Sequence, residues 1–156
     1  MAAEKAENCK IFKATKKHSD SIIGLINELA QFEKLNPPDE KAKKRLLKHA
    51  FGKKPLFKIL GVKDNKATIA YAFYFYTYSS FLARKTLYLE DIFISEKYRN
   101  KGIGKLLINE LIKIAKKNKC GRMEWCVLDW NENAINFYEK LGARYLKEWK
   151  YYRIEL

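Results

Sequence analysis

The spacing of apolar positions predicts helices and strands that are interspersed along the whole chain. Apolar residues recur every three to four positions in several stretches, which is typical of amphipathic helices. The first such helix is predicted to be capped by Ser19 or Asp20 and to end near Glu33. Asp39 is predicted to cap a second, basic helix, which turns Leu46, Leu47 and Ala50 inward. The inward stripe of the first helix consists of Ile22, Leu25, Ile26, Leu29 and Ala30.

Stretches rich in aromatic and β-branched residues predict strands between these helices. The stretch 67–77 is apolar on both faces, so we expect it to be a central strand. The polar residues 63–66 before it predict a hairpin turn, and 78–81 is predicted to be a loop. The predicted strands cover 10–15, 56–62, 67–77, 86–95, 122–128, 144–147 and 150–155.

The strand at 86–95 leads into a basic turn that contains Gly102 and Gly104, and then into a helix. Glycine lets the backbone bend sharply, and an anion can approach its amide without meeting a Cβ. The start of a helix adds partial positive charge, and Arg99, Lys101 and Lys105 add full charges. The order of strand, glycine turn and helix therefore predicts a phosphate-binding site. The apolar positions of this helix are Leu106, Leu107, Leu111, Ile114 and Ala115.

Two familiar phosphate-binding motifs do not fit this turn. A P-loop has Ser or Thr where this chain has Leu106, and a dinucleotide-binding loop has a third glycine where this chain has Leu107. The short glycine spacing is also compatible with an ordinary tight turn. The spacing by itself leaves both interpretations open.

Length and composition predict one packed domain. The chain has 156 residues, of which 47% are hydrophobic, and we expect residues 1–156 to form a single domain with a loose tail at 1–8. Its apolar runs are too short to cross a bilayer, and its charged N-terminus lacks the features of a signal peptide. Cys9, Cys120 and Cys126 have neither disulfide-framework nor zinc-site spacing. We therefore predict a cytoplasmic protein that binds no membrane and no metal.

The formal net charge of +14 is compatible with a nucleic acid, an acidic membrane surface or a phosphorylated cofactor as a partner. However, the lysines are dispersed over predicted helices and turns, which is typical of solvated surfaces. No helix carries clustered arginines, and no base-stacking signature is present. The sequence therefore argues against a nucleic-acid-binding module.

Two blocks of the sequence resemble the GNAT N-acetyltransferase superfamily. The turn Arg99-x-x-Gly102-x-Gly104 resembles its acetyl-coenzyme A pyrophosphate loop, and the segment 127–143 resembles its Asn-x-x-Ala-x-x-x-Tyr-x-x-x-Gly block. The segments 28–35, 88–91 and 129–131 are similar to spermidine/spermine and thialysine acetyltransferases. The resemblance covers about residues 11–146. It implies an α/β fold with a mixed, mostly antiparallel central sheet that is flanked by about four helices.

The resemblance also implies a reaction. An acetyl group would move from acetyl-coenzyme A to a primary amine of a diamine, polyamine or lysine-like small molecule, without a metal and in a homodimer. The alternative is a protein acetyltransferase of the same fold that modifies an N-terminus or a lysine side chain. After residue 146 the chain departs from the subfamily, and its lysine content is unlike that of a polyamine enzyme. This departure bears on the acceptor rather than on the reaction type.

The resemblance assigns two catalytic residues. Glu90 is expected to be the general base, through a water molecule, and Tyr138 the general acid at the coenzyme A sulfur. From their patterns alone, Glu90 could simply pair with a lysine and Tyr138 could be a core residue. Regular strand pairing would turn Asp91 to the face opposite Glu90, whereas a bulge would change which carboxylate faces the cleft.

The resemblance also implies two sets of binding residues. Phe32 and Trp125 fit core packing equally well, and Asn131 fits the position of a helix N-cap. The cofactor set is Ile92, Phe93, Ile94, Arg99, Asn100, Lys101, Gly102, Ile103, Gly104, Lys105, Asn131, Ala134 and Tyr138. The acceptor set is Glu28, Phe32, Glu33, Glu90, Glu124, Trp125 and Cys126.

Overall fold

The computed structural model describes residues 8–156, so only Asn8 of the predicted tail at 1–8 lies among them. The described residues form two compact units, one that ends at Trp125 and one from Cys126 to Leu156. Short 3-10 turns at Lys16–His18 and Glu96–Tyr98 precede α1 and α3. The helices and strands are β1 Cys9–Lys13, α1 Ser19–Phe32, α2 Glu40–Phe51, β2 Lys58–Asp64, β3 Ala67–Ser79, β4 Arg84–Ile94, α3 Ile103–Lys117, β5 Arg122–Trp125 and α4 Glu132–Lys140.

The first unit contains a sheet with the strand order β1-β2-β3-β4-β5. The first three strand pairs are antiparallel, and β4 and β5 are parallel. The predicted hairpin joins β2 and β3 through Asn65 and Lys66, and Asn65 has the positive φ of 54° that such tight turns require. The predicted α/β class with a mostly antiparallel sheet and four helices is thus confirmed.

One core cluster of this unit lies between β3 and the apolar face of α1, and the apolar face of α3 is buried as well. Tyr71, in the middle of β3, is fully buried, and the same cluster contains Ile22, Leu25 and Ile26 of the predicted α1 stripe. Complete burial of one large aliphatic side chain, such as Ile22, contributes about 1.5–3 kcal/mol to the free energy of folding. Burial on both faces confirms β3 as the central strand. The buried cluster consists of Ile22, Leu25, Ile26, Ala50, Ile59, Tyr71 and Phe93.

The pairing of β4 is interrupted at Glu90. Phe73 of β3 lies opposite Asp91, but the next residue, Tyr74, lies opposite Leu89. Glu90 is therefore the extra residue of a β-bulge, which re-aims neighbouring side chains. On the other edge of β4, the pairing with β5 ends at Leu89 and Trp125. In the part of the chain that is described, the 90–94 edge of β4 has no strand beside it.

Several predicted ends shift in the structure. β3 reaches Ser79 and β4 begins at Arg84, so the loop between them is 80–83 rather than 78–81. Asp39 caps α2 as predicted, since its carboxylate accepts a hydrogen bond from the Ala42 amide at 2.7 Å. The predicted cap at Ser19 or Asp20 is wrong, because both residues lie inside α1.

The two strands predicted at 144–147 and 150–155 are wrong. Residues 141–156 contain no helix or strand, and Tyr152 is 84% exposed. A strand must bury one face to offset the loss of backbone entropy, and neither face of this segment is buried. The strand predicted at 122–128 is also shorter, since β5 ends at Trp125.

Candidate active site

The glycine turn places a helix N-terminus where the sequence predicts a phosphate. Gly102 is the N-cap of α3 and has φ of 84°, while Asn100 has φ of 61°. A Cβ built on Gly102 would meet no atom within 4 Å. Glycine has no side chain with which to cap the helix, so the first amides of α3 are available to an anion. Lys101 and Lys105 flank the turn, and the residues present therefore fit the diphosphate of coenzyme A.

The end of β4, just before this turn, already makes contacts with other residues of the protein. Phe93 is buried in the core, and the Ile94 carbonyl accepts a hydrogen bond from Arg99 Nε at 2.9 Å. The Arg99 guanidinium carbon lies 4.7 Å from the ring centre of Phe32 and 5.3 Å from that of Phe93. The structure thus places Arg99 against aromatic rings at the base of the turn.

The bulge in β4 brings two carboxylates to one hollow. Glu90 and Asp91 both line a hollow of about 500 Å³ on the surface of the first unit. In a regular strand adjacent side chains point to opposite faces, and the extra residue in the bulge breaks this alternation. Of the two arrangements that the sequence left open, the structure therefore has the bulge and not the regular pairing. The rest of the wall is apolar and consists of Leu46, Leu56, Phe57, Phe73 and Phe75.

The surroundings of Asp91 raise the pKa of its carboxyl group. Burial raises its pKa, as do the charges of Glu90 and Glu33, while a hydrogen bond from the Tyr71 hydroxyl at 3.2 Å opposes the rise. Together they bring the pKa of Asp91 to about 6. Burial beside Asp91 also raises the pKa of Tyr71, so its hydroxyl stays a donor. A carboxyl group that titrates near neutral pH suits proton transfer.

The acceptor residues predicted on α1 lie at its C-terminal end. Phe32 is the last residue of the helix, and Glu33 follows as its C-cap. Burial raises the pKa of Glu33, and its charge acts on Asp91, so these two carboxylates are within electrostatic reach of each other. Glu28 is exposed on the preceding turn of α1.

The acceptor residues predicted on β5 have other contacts. Glu124 forms an ion pair with Arg122 at 2.8 Å. Trp125 is half-buried and ends the pairing of β5 with β4. Their role in acceptor binding stays a prediction.

The second unit contains the predicted general acid. Tyr138 is 8% exposed, and its ring centre lies 5.3 Å from that of Phe137. Burial raises the pKa of Tyr138 to about 12, so the phenol is protonated at neutral pH. Asn131 caps α4, because its side-chain oxygen accepts a hydrogen bond from the Ala134 amide at 3.3 Å. Cys126 is exposed.

Sequence reasoning missed the apolar wall of the hollow. Phe73 and Phe75 were recognised only as one face of a central strand. Phe57 stacks on Phe73 with ring centres 3.9 Å apart, but it belongs to the segment between α2 and β2, which carries no motif. The alternation of side chains along β3 indicated that Phe73 and Phe75 share one face of the strand. It did not indicate which residues from other parts of the chain pack against that face.

Residues 8–156 contain no group of three or more His, Cys, Asp or Glu side chains that could hold a metal ion. Within the same range, no helix has the length and apolarity that crossing a bilayer requires.

Known proteins share this architecture. The acetyltransferase (GNAT) family model matches residues 23–143. The chain belongs to this family. Enzymes of this family use acetyl-coenzyme A, and the prediction of an N-acetyltransferase is thus confirmed.

Curated relatives support the same assignment. Thialysine N-epsilon-acetyltransferase of Mus musculus is 33% identical over 157 residues, which cover 94% of this chain and 92% of that protein. L-ornithine N5-acetyltransferase of Arabidopsis thaliana is 50% identical over 98 residues, which cover 62% of this chain and 43% of that protein. The chain thus matches less than half the length of the plant relative and nearly all of the mouse one.

Solved structures confirm the fold. An integron cassette protein from the mobile metagenome of V. cholerae superposes with a TM-score of 0.82 at 27% identity, covering 95% of this chain and 93% of that one. A possible acetyltransferase from Clostridium difficile 630 superposes with the same TM-score at 22% identity, covering 95% and 97%.

Proposed function

We propose that this enzyme acetylates a primary amine of a diamine, polyamine or lysine-like small molecule, with acetyl-coenzyme A as the acetyl donor. The observation that carries the proposal is the hollow in which Glu90 and Asp91 face an apolar wall. Carboxylates attract an alkylammonium group, and apolar side chains pack against its methylenes. Relatives named for thialysine, ornithine and spermidine/spermine as substrates support this substrate class.

Glu90 is the proposed general base. An alkylamine has a pKa near 10.4, so roughly one molecule in a few thousand is neutral at pH 7. The amine must lose its proton before its lone pair can attack the thioester carbonyl. Asp91, with a pKa of about 6, is the competing candidate for this role. The other carboxylate would attract the ammonium group into the hollow before the proton is removed.

Tyr138 is the proposed general acid. Its phenol, with a pKa of about 12, is protonated at neutral pH and can donate a hydrogen bond to the departing thiolate. A thiol has a pKa near 8.5, so stabilisation of the thiolate charge contributes more than complete proton transfer. Phe137, the neighbour of Tyr138 on α4, has no hydroxyl and cannot replace it.

The glycine turn is the proposed diphosphate site. Residues 100–105 would hold the diphosphate through the first amides of α3, and Lys101 and Lys105 would add charge. Backbone groups of Ile92, Phe93 and Ile94 would bind the pantetheine arm along the 90–94 edge of β4. The Ile94 carbonyl already accepts from Arg99, so its second lone pair is the one left for a ligand. Asn131 and Ala134 complete the proposed cofactor set.

We propose that residues 1–156 act as one acetyltransferase domain in a cytoplasmic homodimer. The support for a dimer is the C-terminal segment 144–156, which exposes large apolar side chains to water. Exposed apolar clusters of this kind mark interaction sites. The most exposed members are Tyr145, Trp149, Tyr151, Tyr152, Ile154 and Leu156.

Thiol release from acetyl-coenzyme A tests the proposed reaction. Ornithine, thialysine, spermidine and putrescine should be turned over, and peptides with a free N-terminus or a lysine should react slowly. Turnover of the peptides alone would favour the protein acetyltransferase instead. A folded protein that takes up no coenzyme A in calorimetry would contradict both.

The pH dependence of the rate distinguishes the two carboxylates. If Glu90 is the base, Glu90→Gln should lower kcat by about 100-fold or more and flatten the rise of rate on the acidic side. If Asp91 is the base, the same substitution removes a neighbouring charge and lowers the pKa of Asp91. The acidic limb of the pH–rate profile should then move to lower pH while Glu90→Gln stays active. Asp91→Asn should abolish the activity. An unaltered profile for Glu90→Gln would remove Glu90 from the role.

A further inference from the structure

Arg99 joins three parts of the first unit. Its Nε donates to the Ile94 carbonyl at the end of β4, at 2.9 Å. Its guanidinium lies over Phe93 of the same strand and over Phe32, the last residue of α1. The two rings themselves lie 6.5 Å apart, tilted by 54°. The residue that opens the diphosphate turn is thus fastened to the C-terminal end of a helix.

The C-terminal end of α1 acts electrostatically on the acceptor hollow. Glu33 follows Phe32, and its charge is one of the causes that raise the pKa of Asp91. Asp91 in turn lines the hollow beside Glu90. Contacts therefore join the turn to the end of α1 through Arg99 and Phe32, and the charge of Glu33 extends this link to Asp91.

We propose that Arg99 is a positioning residue that couples the diphosphate turn to the acceptor end of α1. When coenzyme A binds at 100–105, it fixes the turn that carries Arg99 and, through Arg99, the position of Phe32, so cofactor and amine bind cooperatively. The proposal rests on the proposed function, since it needs coenzyme A at the turn. It differs from a simple phosphate contact because a side chain that only binds phosphate has no effect on α1.

The proposed coupling depends on the planar shape of the Arg99 guanidinium group. Arg presents a planar group that stacks on rings while its Nε donates in the same plane, whereas the Lys ammonium is a compact charge on a flexible stem. Arg99→Lys therefore keeps the positive charge near the turn and removes the fastening. Lys105→Gln is the matched comparison, because it removes a charge from the same turn and leaves Arg99 intact.

Hydrogen exchange with coenzyme A alone tests the proposal without knowledge of the acceptor. In the wild type, saturating coenzyme A should slow exchange of amides in 29–35 by about fivefold or more, in the range of typical coupling. In Arg99→Lys at saturating coenzyme A, the first turn of α3 should still be protected while the effect at 29–35 disappears. In Lys105→Gln, a higher concentration of coenzyme A should be needed to saturate the protein. At saturation, the amides of 29–35 should be protected as in the wild type.

Steady-state kinetics with thialysine give an independent readout. Arg99→Lys and Phe32→Leu should each raise the KM for the amine, and the double variant should be no worse than the single ones. Thermal unfolding of each variant shows that the fold is kept.

Equal protection of 29–35 in the wild type and in Arg99→Lys would overturn the coupling, as would protection of α3 without any change at 29–35 in the wild type. In both cases the proposed function would stand. Failure of the wild type to bind coenzyme A at all would overturn the proposed function and, with it, this inference.

Discussion

Asp91 shows how the surroundings of one residue change its chemistry. The sequence left open whether Glu90 or Asp91 faces the cleft, and the ordinary pKa of 3.8 would keep Asp91 ionised at neutral pH. In the structure, burial and two carboxylate neighbours raise that pKa to about 6. Burial in the folded protein makes the largest contribution and the adjacent Glu90 the next, while Glu33 at the end of α1 adds to the rise and Tyr71 of β3 opposes it.

The raised pKa of Asp91 predicts a pH-dependent stability. Between about pH 4 and 6 the folded protein keeps a proton that the unfolded chain has lost. The free energy of unfolding therefore falls as the pH rises through this window, by roughly 2–3 kcal/mol from this group. Urea unfolding at pH 4 and pH 7 should show that Asp91→Asn removes this part of the fall.

Tyr71→Phe provides the companion measurement. It deletes the hydrogen bond that lowers the pKa of Asp91, so the pH window should extend upward. A fall of the same size in the wild type and Asp91→Asn would show that Asp91 is ionised like an ordinary aspartate.

Tyr138→Phe tests the role of one hydroxyl. We expect kcat to fall by about 100-fold, because the donor to the departing thiolate is lost. The Kd of coenzyme A should change by less than a factor of about three, since ground-state binding does not need the proton. Thiol release and calorimetry measure the two effects. Tyr145→Phe, at a tyrosine that is 79% exposed, should leave both unchanged, and an unchanged kcat in Tyr138→Phe would exclude the acid role.

Strands β1 and β2 are held at close range by a glycine. Phe12 lies opposite Gly61 in the register, and a Cβ built on Gly61 would come within 2.3 Å of the Phe12 ring. The ring would have to move to admit a methyl group. Gly61 therefore allows the ring to cover the backbone of β2.

Gly61→Ala should accordingly lower the free energy of unfolding by about 1–3 kcal/mol, the usual cost of overpacking. Gly24→Ala is the matched control, since a Cβ there would meet no atom within 4 Å. Because alanine favours helices, we expect it to stabilise α1 by about 0.5–1 kcal/mol. Urea unfolding measures both. In a Phe12→Ala background the cost at Gly61 should disappear, and its persistence would place the strain elsewhere.

Elements with a strong local signal were predictable. The stripe of α1, the cap at Asp39 and the hairpin before β3 follow from residues that are neighbours in sequence. The shortened β5 and the missing strands at 144–147 and 150–155 were not predictable in this way. A strand forms only where a second strand pairs with it through hydrogen bonds. The residues of the first strand do not show whether such a partner is present in the fold.

The C-terminal segment 144–156 exposes several large apolar side chains to water. If the proposed homodimer is correct, the exposed residues of 144–156 should be buried against the partner, because burial of apolar surface favours association. A chain that ends at Lys147 should then sediment as a monomer, and the full chain as a dimer. The double substitution Trp149→Ser and Tyr151→Ser should weaken the dimer in the same direction. A monomeric full chain, or a dimer that survives truncation, would contradict the proposal.

The sequence by itself determined the class of fold, the order of the elements as far as α4, the glycine turn at 100–104 and the family. These features depend on residues that are close together in the chain, where spacing and residue type carry the physical signal. Only the tertiary structure decided that Glu90 and Asp91 share one hollow, that Tyr71 holds Asp91, and that Arg99 is fastened to α1. Each of these depends on a bulge or a contact between distant strands and helices, and such contacts are set by packing rather than by local pattern.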